Sequence, residues 1–174
     1  LLGRVNSGTM LFVSLLVSGL GMAGYLLSYD AALLPQMASL CVLGAGIGAT
    51  MTAASSTIMQ SASPERAGMA ASIEEVSYEL GGALGVTLMG SILSGVYART
   101  LSVPEGLPHS ADARDSLDQA LIVADGLSSD LGAALTRLAK TAFDTGYAAV
   151  IATAAAMLLA TACFVLYNRR RMAG

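Results

Sequence analysis

The run Ser72-Ile73-Glu74-Glu75-Val76-Ser77-Tyr78-Glu79-Leu80-Gly81-Gly82-Ala83-Leu84-Gly85 places three carboxylates within six residues of an otherwise apolar, uncharged segment. On insertion scales each charge at mid-bilayer costs at least about 2.5–3.5 kcal/mol, so an acid kept there faces a cavity, a partner or a proton path. On a helix Glu75 and Glu79, four apart, share a face, and Glu74 lies about 100° round from it, above Tyr78. Two ionised carboxylates on one face repel. Desolvation adds to that repulsion, and together they raise at least one pKa towards neutrality. A cation can occupy the same place instead of a proton, and that competition is the physical basis of proton-coupled cation export.

A competing reading puts the glutamates at the membrane surface. Leu80 to Ala98 carries no charge and is long enough to cross a bilayer unaided, which would leave all three acids solvated at the interface. Against it, Ala67-Gly68-Met69-Ala70-Ala71-Ser72-Ile73, just ahead of them, is also apolar and uncharged. The embedded reading accounts for that stretch, and Glu74, Glu75 and Glu79 are therefore the candidate proton-coupling and cation-binding residues.

Other chemistry-bearing residues do not assemble into a site. His109, the single histidine, stands beside Pro108 in a polar segment, where a solvated role is expected. There is no Ser/His/Asp set, no phosphate-binding loop and no metal-ligand spacing. No cofactor, metal or enzymatic activity is expected. Met51, Met59, Met69 and Met89 read as adaptable packing rather than a metal path, and Cys41 and Cys163, each alone in an apolar run, as small buried hydrophobes. The only basic run is Arg169-Arg170-Arg171, so nucleic acid is not an expected partner.

The elements that must position the glutamates follow from composition. Of 174 residues, 55% are hydrophobic and 12% charged, about half the charged share of a soluble domain. The lipid bilayer is thus the first expected partner, and an all-α integral membrane fold with four transmembrane helices follows. A span needs about 20 mainly apolar residues. The uncharged runs give spans near 9–28, 34–58, 69–97 and 146–167 in a single membrane region, 1–174, with an outer loop over 98–145. Asp30 to Pro35 is a short turn, and Pro64-Glu65-Arg66 breaks the chain again. Arg4, Arg66 and the arginine triplet fall on one side, which the positive-inside rule makes cytoplasmic, with both termini inside. In the outer segment Pro104 and Pro108 disrupt the start. Beyond them Leu117, Ala120, Leu121, Ala124 and then Leu131, Ala134, Leu135, Leu138 recur at helical steps around a break at Gly126-Leu127-Ser128-Ser129, predicting two short amphipathic helices.

Small residues predict close helix packing. Gly44 with Gly48, and Gly81 with Gly85, make GxxxG pairs that Gly82 and Gly90 extend, and Gly19, Gly21 and Gly24 promise flexibility or close contact in the first helix. The sequence opens at Leu1 without a signal-peptide layout, and a start within a longer polypeptide is expected.

The run Ser63-Pro64-Glu65-Arg66-Ala67-Gly68-Met69-Ala70-Ala71-Ser72, continued by Glu74-Glu75 and Tyr78-Glu79-Leu80-Gly81-Gly82-Ala83-Leu84-Gly85-Val86, resembles the penultimate-helix region of major facilitator superfamily drug:proton antiporters. It is nearest to the fourteen-helix branch of QacA-type multidrug exporters. The opening Leu2-Gly3-Arg4-Val5-Asn6-Ser7-Gly8 is similar to the cytoplasmic loop before helix 11 of that branch, and a long outer loop before the last helix also fits it. The resemblance implies a C-terminal piece covering helices 11–14, in a bacterial plasma (inner) membrane. It implies efflux of lipophilic cations such as quaternary ammonium compounds, driven by entry of protons, with Glu74, Glu75 and Glu79 matching acids used for coupling and recognition. It also implies that the N-terminal helices of the parent transporter are needed as partners, since two six-helix halves must face each other across a central site. Such a piece is expected to be inactive alone. The alternative is a small four-helix membrane scaffold or an oligomeric subunit without transport of its own.

Overall fold

A computed structural model describes residues 7–103 and 110–172. Arg4 and most of the opening motif, and Pro104, Glu105, Pro108 and His109, lie outside the described residues. The chain forms α1 (Ser7–Leu27), α2 (Leu33–Ser61), a 3-10 turn (Pro64–Arg66), α3 (Ala67–Thr100), α4 (Ser110–Asp115), α5 (Leu117–Asp125) and α6 (Ser129–Met172). The fold is all-α, with no strand among the described residues, and α1, α2, α3 and α6 are long and apolar enough to cross a membrane.

Hydroxyl groups are accommodated in these apolar helices by bonding back to their own backbone. Ser18 Oγ donates to the Ser14 carbonyl at 2.9 Å, Thr50 Oγ1 to that of Gly46 at 2.9 Å and Thr87 Oγ1 to that of Ala83 at 2.8 Å. Each leaves no polar group unsatisfied in lipid. The turns follow from side-chain chemistry. Pro35 sits in the first turn of α2, where its missing N–H has no intrahelical partner to lose. Gln36 Nε2 closes the turn by donating to the carbonyls of Tyr29 (2.9 Å) and Ala31 (3.1 Å). Pro64 opens the 3-10 turn that separates α2 from α3.

The chain divides into two compact units. In the first (Leu1–Gly82 with Ile151–Gly174), α1 is central and buries Ser14, Leu15, Ser18, Gly19 and Gly21. Glycine makes this approach. A Cβ at Gly21 would lie 2.5 Å from the Leu43 nitrogen, and one at Gly46 would lie 2.5 Å from the Ser18 nitrogen. On another side of α1, a Cβ at Gly19 would meet Leu159 of α6 at 2.6 Å. Elsewhere α2 and α3 keep large apolar side chains exposed, among them Leu34, Met37, Val76, Leu80 and Leu84.

The second unit (Ala83–Val150) has a core of Tyr97, Leu101, Leu135 and the alanines 113, 120, 124, 139 and 142. Tyr97, only 2% exposed, donates its hydroxyl to the carbonyls of Ala113 (3.0 Å) and Ser116 (3.1 Å). Ser116 then caps α5, its Oγ accepting from the Gln119 N–H at 3.2 Å. Between the third and fourth spans the described residues are thus helical, with a break at Gly126–Ser128. One boundary differs from the sequence reading. The stretch holding Leu131 to Leu138 is the beginning of α6 itself rather than a separate helix. Between it and Gly146 there is no proline to stop propagation, and Thr141 and Thr145 bond back to the carbonyls of Arg137 and Thr141.

Candidate acidic site on α3

The three glutamates stand on the first half of α3, within the first unit. Glu75 and Glu79 are exposed and share a face, and no helix among the described residues covers them. Glu74 is half-buried. With Tyr78, one turn on, it forms one wall of an open groove of about 580 Å³ whose other wall is Met51, Thr52, Ser55 and Ser56 of α2. The Tyr78 hydroxyl and the Glu74 carboxylate interact directly. On α2, Thr52 Oγ1 donates to the Gly48 carbonyl at 2.9 Å, and Gln60 Nε2 donates to Ser56 Oγ at 2.6 Å. The groove therefore joins one carboxylate, one aromatic ring, one thioether and a row of hydroxyls. A carboxylate supplies charge, the ring face attracts a cation, and a methionine adapts to irregular apolar shapes.

The hydroxyl row was not singled out in the sequence, although Thr52, Ser55 and Ser56 recur at three- and four-residue steps, the signal of one helix face. A Cβ built at Gly44, Gly48, Gly81, Gly82 or Gly85 meets nothing within 4 Å among the described residues. The tight α1–α2 approach uses Gly21 and Gly46 instead. Cys41 and Cys163, expected to be buried, are both exposed. Met51 lines the groove, and Met69 lines a second cleft at the α2–α3 turn.

That second cleft, about 890 Å³, is lined by the end of α2, the turn and the start of α3. Glu65 lies there in the turn ahead of α3. Its own backbone N–H and the Ser63 hydroxyl bond its carboxylate and hold its pKa below the ordinary 4.5.

Four long apolar helices, one of them carrying three acids, define an all-α membrane protein. Its sequence is similar to the multidrug efflux pump LfrA of Mycolicibacterium smegmatis, 34% identical over 137 residues, which is 78% of this chain and 27% of that protein. It is likewise similar to the methyl viologen resistance protein SmvA of Salmonella typhimurium, 32% identical over 122 residues, covering 69% of this chain and 25% of SmvA. The chain thus spans about a quarter of the length of the curated relatives it matches. No family profile matches the chain, and no solved structure does.

Proposed function

We propose that the chain is the C-terminal part of a proton-coupled exporter of lipophilic cations, of the fourteen-helix major facilitator type. In this reading its termini are cytoplasmic in a bacterial inner membrane, and Glu74, Glu75 and Glu79 carry cation recognition and proton coupling. The observation that carries the reading is the placement of three carboxylates on a helix otherwise apolar enough to cross a membrane, with Glu74 set against Tyr78 and the α2 hydroxyls. The named roles of the relatives support it: one is a multidrug efflux pump and the other confers resistance to methyl viologen, a compound with two quaternary nitrogens. Uncovered Glu75 and Glu79, and the open faces at Gly81, Gly82 and Gly85, fit a helix that meets further helices of the same transporter.

The division of labour is physical. A carboxylate on a membrane-crossing helix holds either a proton or an organic cation, so binding of one displaces the other. A chain with four crossing helices lacks the opposite half of a central cavity and is inactive by itself. Ethidium efflux from energised vesicles tests this directly, with the full transporter and the chain alone expressed side by side. Efflux by the full transporter and none by the chain is the expected result. Efflux by the chain alone, or none by either, overturns the reading.

A further inference from the structure

The cleft between the end of α2 and the start of α3 is chemically graded. Ile58 and Ile73 supply an apolar wall, Ser61 and Ser63 a band of hydroxyls, and Glu65 and Arg66 an adjacent pair of opposite charges. Its volume, about 890 Å³, lies within the roughly 300–1,000 Å³ of small-molecule sites. The grading from apolar to hydroxyl to charge follows the order met on leaving a bilayer leaflet: acyl chain, ester region, headgroup. The Arg66 guanidinium has no ion-pair partner among the described residues. The Glu65 carboxylate is held by its own N–H and by Ser63, which leaves lone pairs open to a further donor.

We propose that this cleft binds a zwitterionic aminophospholipid, phosphatidylethanolamine, with its phosphate on Arg66, its ammonium on Glu65 and an acyl chain against Ile58 and Ile73. The charge pair decides the ligand. A guanidinium beside a phosphate forms a strong, geometrically defined contact, but an anionic lipid would bring its headgroup against the Glu65 carboxylate without a counter-charge for it. A primary ammonium supplies that charge and three N–H donors. The site is separate from the groove at Glu74 and does not depend on whether the protein exports cations.

The test is lipid retention. The full-length protein is extracted in mild detergent from membranes containing phosphatidylethanolamine and phosphatidylglycerol, and the retained phospholipids are counted by mass spectrometry. Wild type is expected to enrich phosphatidylethanolamine over the bulk membrane. Glu65→Gln shifts the retained ratio towards phosphatidylglycerol by about three- to fivefold, the range an exposed charge pair supplies. Arg66→Gln lowers retention of both lipids. These different responses separate lost recognition from lost folding, which would move both variants alike. A retained ratio equal to the bulk membrane in all three proteins, or phosphatidylglycerol enriched by wild type, overturns the proposal.

Discussion

The hydroxyl of Tyr97, in the last turn of α3, donates to the carbonyl of Ala113 at the end of α4 at 3.0 Å, although sixteen residues separate them in sequence. The bond satisfies a carbonyl that a helix end leaves orphaned. Tyr97→Phe keeps the ring in the alanine core but removes the donor, at about 1 kcal/mol for a buried hydrogen bond. Hydrogen exchange at the amides of α4 and α5 is expected to speed up about fivefold in that variant, with α1 and α2 unchanged. Unchanged exchange across 110–125 would show that the hydroxyl does not hold these helices.

Glycine substitutions separate positions packed within the described residues from those left open there. Gly21→Ala and Gly46→Ala drive a Cβ to 2.5 Å from backbone atoms of Leu43 and Ser18, and are expected to destabilise by about 1–3 kcal/mol. Gly44→Ala and Gly48→Ala meet open space in this chain, and an alanine is the better helix former. Thermal unfolding of the chain in detergent should rank the first pair well below the second.

Within the proposed export cycle the carboxylates are distinguishable. Glu74→Gln is expected to weaken equilibrium binding of a lipophilic cation about tenfold or more, the scale of one lost charged contact at ~1.5–3 kcal/mol, measured by ethidium fluorescence in membranes holding the full transporter. Glu75→Gln is expected to slow cation efflux while leaving protein level unchanged. Normal resistance of cells carrying Glu75→Gln to mono- and divalent cations would remove that residue from the mechanism.

The turn before α3 has a pH signature. The pKa of Glu65 is depressed in the folded chain by its own N–H and Ser63, so its stabilising contribution is present above the unfolded value of about 4.5 and fades as pH falls through the folded value. The difference in unfolding temperature between wild type and Glu65→Gln should therefore shrink between about pH 6 and pH 3. A difference that stays constant over that range would contradict the assignment.

The long helices were legible because uncharged runs bounded by Asp30, Pro35 and Pro64 leave the backbone few other ways to satisfy itself. Rotation about each helix axis was not. One residue turns the face by about 100°, so Gly46, lying between Gly44 and Gly48, points to nearly the opposite side from both. Which side meets α1 is decided by Ser18 and Leu43, whose positions no local pattern encodes. The same limit hid the groove at Glu74. The spacing of Glu74 from Glu75 fixed the angle between them, while the α2 hydroxyls that face it belong to a different span. The start of α6 was misplaced because amphipathic and apolar stretches join smoothly when nothing between them breaks the backbone.

The outward placement of Cys41 on α2 and Cys163 on α6 has a practical meaning. They are the only two thiols in the sequence, and both are exposed on helices long and apolar enough to cross a membrane. The native chain therefore carries two built-in reporter positions. A membrane-impermeant maleimide reacts with a thiol in a water-filled passage, a lipid-soluble one with a thiol facing acyl chains, and neither with a thiol sealed beneath another helix. The labelling pattern at these two atoms reads, without any mutation, what surrounds each helix in the living membrane.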